Sequence, residues 1–159
     1  MSTIVVRPVE RADADVWRAM RGRLWPETPD HDEEIARFYA GSALEPLAVL
    51  IAVDETGRPI GFIELSIRPY AEGCDGNRIA YMEGWYVEPR ARRREIGREL
   101  VEAAEAWGTA NGCSDLASDT EIHNQGAIAA HLGLGFTMTS TVQCFAKPLR
   151  ASKEVADGG

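Results

Sequence analysis

Arginine is unevenly spread along this chain. Arg90, Arg92, Arg93, Arg94 and Arg98 fall within nine positions, although 25 acidic against 17 basic residues leave a net charge of -8. They belong to the stretch VEPRARRREIG at residues 87–97, between an apolar run and an amphipathic one. A strand-to-helix junction there aims unpaired backbone N–H groups and the positive end of a helix dipole at one spot. The arginines add bidentate donors suited to phosphate. From the residues alone this turn is either a phosphate or pyrophosphate cradle or a solvated basic helix start. A second signal is Glu83, a carboxylate inside the otherwise apolar run 79–87 that leads straight into the turn. Its place makes it hard to dismiss as structural, with an ion-pair partner as the plainer reading.

Other polar residues carry weaker signals. Asp119 is either a functional acid or a turn residue before the last helix. The run Asp30-His31-Asp32-Glu33-Glu34 reads first as a solvated helix start, because acids favour the first turn, and second as an attractor for a polycation. His131, between two alanines and Leu132-Gly133-Leu134, reads as packing or a cap, and His123, beside Asn124, is a weak candidate for a catalytic role. Cys74, Cys113 and Cys144 are odd in number and lack ligand spacing, so free thiols are expected, with no disulfide and no metal site.

The elements that must position these residues follow from periodicity. Residues 3–9 read as a strand. From Asp13 a helix carries Val16, Trp17, Met20 and Leu24 at spacings of three and four, and Pro26 stops it. A short helix fits 31–40. Residues 47–53 and 59–68 read as a hairpin around the turn 55–58, residues 71–77 as a loop and 79–87 as the next strand. From Ile96 a helix shows one apolar face and ends at Gly112. Residues 116–118 read as a short strand, 124–134 as a helix and 136–145 as a final strand. The order is mixed α/β with one parallel strand-helix-strand unit.

At 159 residues and 45% hydrophobic content the chain can bury one core and is short for two. One domain over residues 1–149 is expected, then a disordered tail at 150–159. No run reaches the roughly 18 apolar residues of a membrane span, and the charged start lacks the apolar block of a signal peptide. A cytoplasmic protein without membrane contact is expected. The negative charge argues against general affinity for nucleic acid and suits a cationic partner.

The junction also resembles a known motif. Strand, V-x-P, then R-x-x-G-x-G or R-x-x-G-x-A opening a helix is the acetyl-CoA motif of the GCN5-related (GNAT) acetyltransferases. Arg92, Ile96 and Gly97 fit it, whereas Glu95 stands where the family usually has glycine, a residue that lets backbone approach the pyrophosphate. With helical backbone there, the Glu95 carboxylate can point to solvent. Further blocks resemble the aminoglycoside 6'-N-acetyltransferases, resistance enzymes of that family. They are Leu24-Trp25-Pro26, Gly61-Phe62, Ser66-Ile67-Arg68 with Tyr70, Glu83-Gly84, Trp107-Gly108, Gly112-Cys113, Ala117-Ser118-Asp119-Thr120, Asn124, and His131 with Leu134-Gly135-Phe136.

The resemblance implies a GNAT fold, a mixed central sheet with splayed central strands flanked by helices, and an acetyl-CoA-dependent enzyme with a homodimeric assembly. It implies that Trp25, Tyr70, Glu83 and Asp119 line the acceptor site. Carboxylates for ammonium groups and flat rings for sugar faces suit an amino sugar. It implies that Trp85, Tyr86 and Val87 bind the cofactor, with an N–H polarising the thioester carbonyl. Arg92, Arg93, Arg94, Glu95, Ile96, Gly97 and Arg98 belong to the pyrophosphate turn, and Asn124 lies at the cofactor. Glu83 or Asp119, through water, takes the proton of the attacking amine. The tyrosine that many relatives use to protonate the thiolate is missing from Val142-Gln143-Cys144-Phe145, leaving Cys144, water or solvent. Ser140 stands near where relatives carry another acid. The rival expectations are a GNAT enzyme for a polyamine, peptide N-terminus or metabolite amine, and an acyl-CoA-binding module with little catalysis.

Overall fold

A computed structural model describes residues 3–92 and 95–150. Arg93 and Arg94, and residues 151–159 of the expected tail, lie outside the described residues. The elements run β1 (Val5–Pro8), α1 (Ala14–Leu24), α2 (His31–Tyr39), β2 (Ala48–Val53), β3 (Pro59–Arg68), β4 (Ile79–Val87), α3 (Ile96–Ala110), β5 (Asp115–Ser118) and α4 (Gln125–Gly133). One sheet carries the strands in sequence order. β1 to β4 are antiparallel, and β5 pairs parallel to β4 through α3, the crossover that a parallel neighbour requires.

Helices cover both faces, so the strands are apolar in both directions. In β2, Val49, Ile51 and Val53 join the cluster under α1 and α2 with Trp17, Met20, Ile35, Phe62 and Tyr86. Ala52 joins Leu65, Met82, Ile96, Leu100 and Ala104 under α3. α1 buries Trp17, Met20 and Arg21, positions three and four apart, so its inward face carries a charge.

Two departures from regular pairing shape the site. β3 and β4 slip register by one residue, with Glu64 opposite Gly84 but Leu65 opposite Met82. Glu83 is the extra residue, and such a bulge turns a side chain that regular alternation would send elsewhere. Tyr81 and Glu83 thereby share the face on which Gly84 meets Trp25, while Trp85 turns to the α3 side, against Gly97. The second departure is the splay. β4 pairs with β5 only over Ile79–Met82, and β5 ends at Ser118. Among the described residues no strand pairs with that edge of β4 from Glu83 to Val87.

The expected final strand at 136–145 is not formed. The described residues from 136 to 150 pair with no strand, and Met138, Val142, Phe145 and Leu149 are exposed. Alternation between apolar and polar residues supplies a face but no ladder partner, and a strand without a partner has no backbone bonds to hold it.

Candidate active site

The acceptor face is assembled from α1, α2, β3 and β4. A cavity of about 250 Å³ is lined by Arg21, Trp25, Thr28, Glu34, Glu45, Glu64 and Glu83. Trp25 follows the last residue of α1 and lies against Gly84, where an added Cβ would come 2.5 Å from the ring. Arg21 anchors this wall. Its guanidinium donates to Glu64 at 2.7 Å, pairs with Glu34 at 2.6 Å and sits 5.0 Å from the Trp25 ring centre. It also donates to His31 Nδ1, which leaves Nε2–H to donate to the Trp25 carbonyl at 3.1 Å. Glu64 takes a further bond from the Trp17 indole at 2.9 Å. Burial pushes the Glu64 carboxyl above its ordinary range, against the pull of Arg21.

Glu83 stands beside this set with a different partner. Arg68 donates to both of its oxygens, at 2.6 and 3.0 Å, and lies 3.7 Å from the Tyr81 ring centre. Burial raises the Glu83 carboxyl above its ordinary range, and Arg68 opposes the rise. The Tyr81 hydroxyl donates to Asp119, just past the end of β5. Burial and that bond raise the phenol's pKa well above its ordinary value. A chain of contacts therefore joins Glu83, Arg68, Tyr81 and Asp119.

Of the residues expected in the acceptor site, Trp25 and Glu83 meet at the cavity, and Asp119 connects to Glu83 through Tyr81 and Arg68. Tyr70 is 62% exposed in the loop after β3 and does not line the cavity. Glu34 departs from the solvated reading of its acidic run, because it pairs with Arg21, whereas Glu33 and Asp32 bond outward to Arg37 and Arg18. Sequence reading missed Glu64, Glu45 and Arg21. Glu64 bore the same mark as Glu83, a carboxylate in an apolar strand, and Arg21 fell on the apolar face of α1.

The cofactor end lies where β4 turns into α3. Glu99 N–H makes the first helical bond, to the Glu95 carbonyl at 3.1 Å, so the amides of Ile96, Gly97 and Arg98 have no intrahelical acceptor. Glu95 is not helical. It adopts the left-handed conformation, φ 66°, as the single non-glycine residue with positive φ among those described. The reason is the tight entry into α3, a geometry that suits the glycine the resemblance led one to expect. Its carboxylate does point outward, accepting from Arg98 at 2.8 Å.

Side chains along this segment divide their roles. The Arg92 guanidinium turns back to donate to the Val87 carbonyl at 2.9 Å. Tyr86 is buried on the α1 side against Phe62, and Val87 and Ile96 are core residues under α3, so their backbone is what faces the splay. An added Cβ on Gly97 would come 3.1 Å from Trp85, whose indole N–H is buried without an acceptor among the described residues. Asn124 caps α4 by accepting from Ala127 N–H at 3.0 Å. His131 is fixed between the Ala127 carbonyl and the Ser118 hydroxyl and packs edge-on to Trp85, a structural role. Strand amides without a ladder partner, a helix start without intrahelical acceptors and an indole N–H without an acceptor among the described residues fit the carbonyls and phosphates of an acyl-CoA.

Comparison with known proteins agrees with this geometry. The model of the acetyltransferase (GNAT) family matches residues 14–136. An aminoglycoside N(6')-acetyltransferase type 1 of Klebsiella aerogenes is 50% identical over 93% of this chain and 99% of its own. Its counterpart in Salmonella typhimurium is 37% identical over 89% of this chain and 97% of its own. Among solved structures, AAC(6')-Iy in complex with the bisubstrate analogue CoA-S-monomethyl-acetylneamine superposes with TM-score 0.85 at 34% identity, covering 93% of this chain and all of that one. AAC(6')-Ih from Acinetobacter baumannii gives 0.83 at 32% identity, covering 92% of this chain and 99% of that one. The free helix start beside a splayed strand and the match across most of the chain lead to one conclusion: the chain belongs to the GNAT family and is an acetyl-CoA-dependent N-acetyltransferase.

Proposed function

We propose that the enzyme moves an acetyl group from acetyl-CoA to the 6'-amine of aminoglycoside antibiotics in one ternary complex. The observation that carries this reading is the cavity beside the splay, where Trp25 and four carboxylates, Glu34, Glu45, Glu64 and Glu83, face one space. An amino sugar carries several ammonium groups on apolar ring faces, and carboxylates with a flat ring match both features. Trp25, Glu83 and Asp119 form the acceptor wall, and Tyr70, exposed in the loop after β3, offers a further ring to the sugar.

In the reaction the amine nitrogen forms a bond to the acetyl carbon as the carbon–sulfur bond breaks. Holding both reactants together removes much of the entropic barrier. Glu83, with Asp119 as the second carboxylate, takes the ammonium proton through water, and the raised Glu83 pKa suits it to receive one. A backbone N–H on the unpaired edge of Trp85, Tyr86 and Val87 polarises the thioester carbonyl. The amides of Ile96, Gly97 and Arg98 hold the pyrophosphate, with Arg93, Arg94 and the amide of Glu95 in the same turn. The Asn124 amide group and Arg92 complete the cofactor contacts. As the tetrahedral carbon collapses, the nitrogen releases its second proton to water, and the departing thiolate takes a proton from that water.

The reaction uses a cytoplasmic metabolite, so we take the enzyme to act in the cytoplasm; among the described residues no helix is long and apolar enough to cross a membrane. We further take it to be a homodimer. A trough of about 530 Å³ runs along β5 and the end of α3, and the apolar residues Met138, Val142 and Phe145 stand exposed in the segment that follows. A second copy laying this segment beside β5 covers both.

Release of CoA thiol from acetyl-CoA tests the activity, with kanamycin, tobramycin and a 6'-hydroxyl aminoglycoside compared. Turnover that requires the 6'-amine is expected. Silence with all three, together with turnover of a polyamine or peptide amine, replaces the acceptor and keeps the chemistry.

A further inference from the structure

The two arginines of the acceptor face are held differently. Arg21 is 4% exposed and is locked by Glu64, Glu34, His31 and two tryptophan rings. Arg68 ends β3 with its side chain 34% exposed, so solvent and solutes reach it. Around its guanidinium stand Glu83 in bidentate contact, Glu45 at 3.9 Å and the face of Tyr81 at 3.7 Å, whose hydroxyl binds Asp119. Two carboxylates at the edge and an aromatic ring on the face make the surroundings that a bound ammonium seeks.

Resting on the reading of the acceptor as an amino sugar, we propose that Arg68 is a resident counter-cation. It occupies a substrate ammonium subsite in the free enzyme and is displaced from Glu83 when a polycationic acceptor binds. Arg68 thereby sets a threshold that the contacts of any acceptor must exceed. An acceptor with one ammonium gains only what Arg68 already supplies, whereas one with several also engages Glu45 and Glu34 and wins the exchange. Polyamino sugars are selected over monoamines.

Steady-state kinetics of wild type, Arg68→Gln and Arg68→Lys, with kanamycin and with 6-amino-6-deoxyglucose, test the exchange. An exposed ion pair is worth up to about 1 kcal/mol, or roughly 5-fold. For Arg68→Gln the KM for both acceptors is expected to fall by a similar factor, about 3- to 5-fold, because each displaces the same arginine. Arg68→Lys is expected to fall between, and the KM for acetyl-CoA to stay constant. A rise in acceptor KM with a matching fall in kcat overturns the inference, because Arg68 then only orients Glu83. The wild-type enzyme crystallised with CoA and kanamycin gives an independent reading. Arg68 is expected beyond about 4 Å from Glu83, and an intact pair overturns the exchange even if the variants fail to fold. A wild-type enzyme silent on every aminoglycoside overturns the acceptor assignment together with this inference, which separates the two failures.

Discussion

Glu64 and Glu83 are neighbours across the β3–β4 ladder, since Glu64 faces Gly84 and Glu83 is the bulged residue beside it. Both are carboxylates in apolar strands, and burial raises the pKa of both. Their partners separate them. Glu64 is 1% exposed and bonds to Arg21 and Trp17, which themselves are core residues. Both carboxylates line the cavity, but the Glu83 side chain is 15% exposed and, among the described residues, bonds to one arginine that solvent reaches. A charge enclosed by immobile donors holds the wall in shape, and a charge with one replaceable partner is available to substrate.

The largest effect that sharpens this contrast is expected at Glu83. Glu83→Gln removes the proposed base, and kcat/KM for kanamycin is expected to fall by about 100-fold or more, with the KM for acetyl-CoA unchanged. The pH profile gives the sign. A base must be deprotonated to act, and burial raises the Glu83 pKa, so activity is lost as pH falls through a value above the ordinary carboxylate range. That acid limb is expected to vanish in the variant, and a profile of wild-type shape would assign the proton to Asp119.

Arg21→Met breaks the comparison from the other side. It leaves Glu64 buried without its counter-ion, at a cost of about 3 kcal/mol, measured by denaturant unfolding. Because Glu64 is raised by burial, its contribution to folding is present at low pH and is lost as pH rises through its folded pKa. The variant's deficit is therefore expected to shrink in acid. An equal deficit at all pH values would mean that Glu64 stays ionised throughout.

The same contrast between fixed and loosely held groups recurs at the cofactor end, with smaller effects. Among the described residues Glu95 is held by an exposed bond to Arg98, in a backbone conformation that suits glycine. Glu95→Gly is expected to stabilise the fold by about 1 kcal/mol and to lower the KM for acetyl-CoA, read by unfolding and initial rates together. Asn124 is fixed through its carbonyl, which caps α4. Asn124→Ser keeps a capping oxygen and removes the amide donor, so stability should hold within a few tenths of a kcal/mol. A donor hydrogen bond to the cofactor then shows as a rise of about 5-fold in the KM for acetyl-CoA, and an unchanged KM leaves Asn124 as a cap alone.

Much of the fold is legible in local pattern. β3 and β4 begin and end where alternation, proline and turn residues say they should, because apolar runs bounded by breakers have few other uses. The final strand fails for the converse reason. Residues 136–145 have the composition of a strand, but composition does not provide a neighbour. The site divides in the same way. Glu83 stands out as a charge in an apolar run, and Trp25 as a ring at a helix stop, each within a few residues of its own signal. Arg68 and Glu45 carry no such mark, since their meaning comes from residues 15 and 38 positions from each of them, at Glu83.

By itself the sequence determined the elements up to α4, the helix start at Ile96 proposed to hold phosphate, and the presence of a carboxylate at position 83. Those depend on contacts within one strand, turn or helix. Tertiary structure alone decided which carboxylate is enclosed and which is open, that Glu95 takes a left-handed backbone, and that the bulge aims Glu83 and Trp85 to opposite faces. These depend on register between strands and on which helix covers which face, quantities that arise only when distant segments pack together.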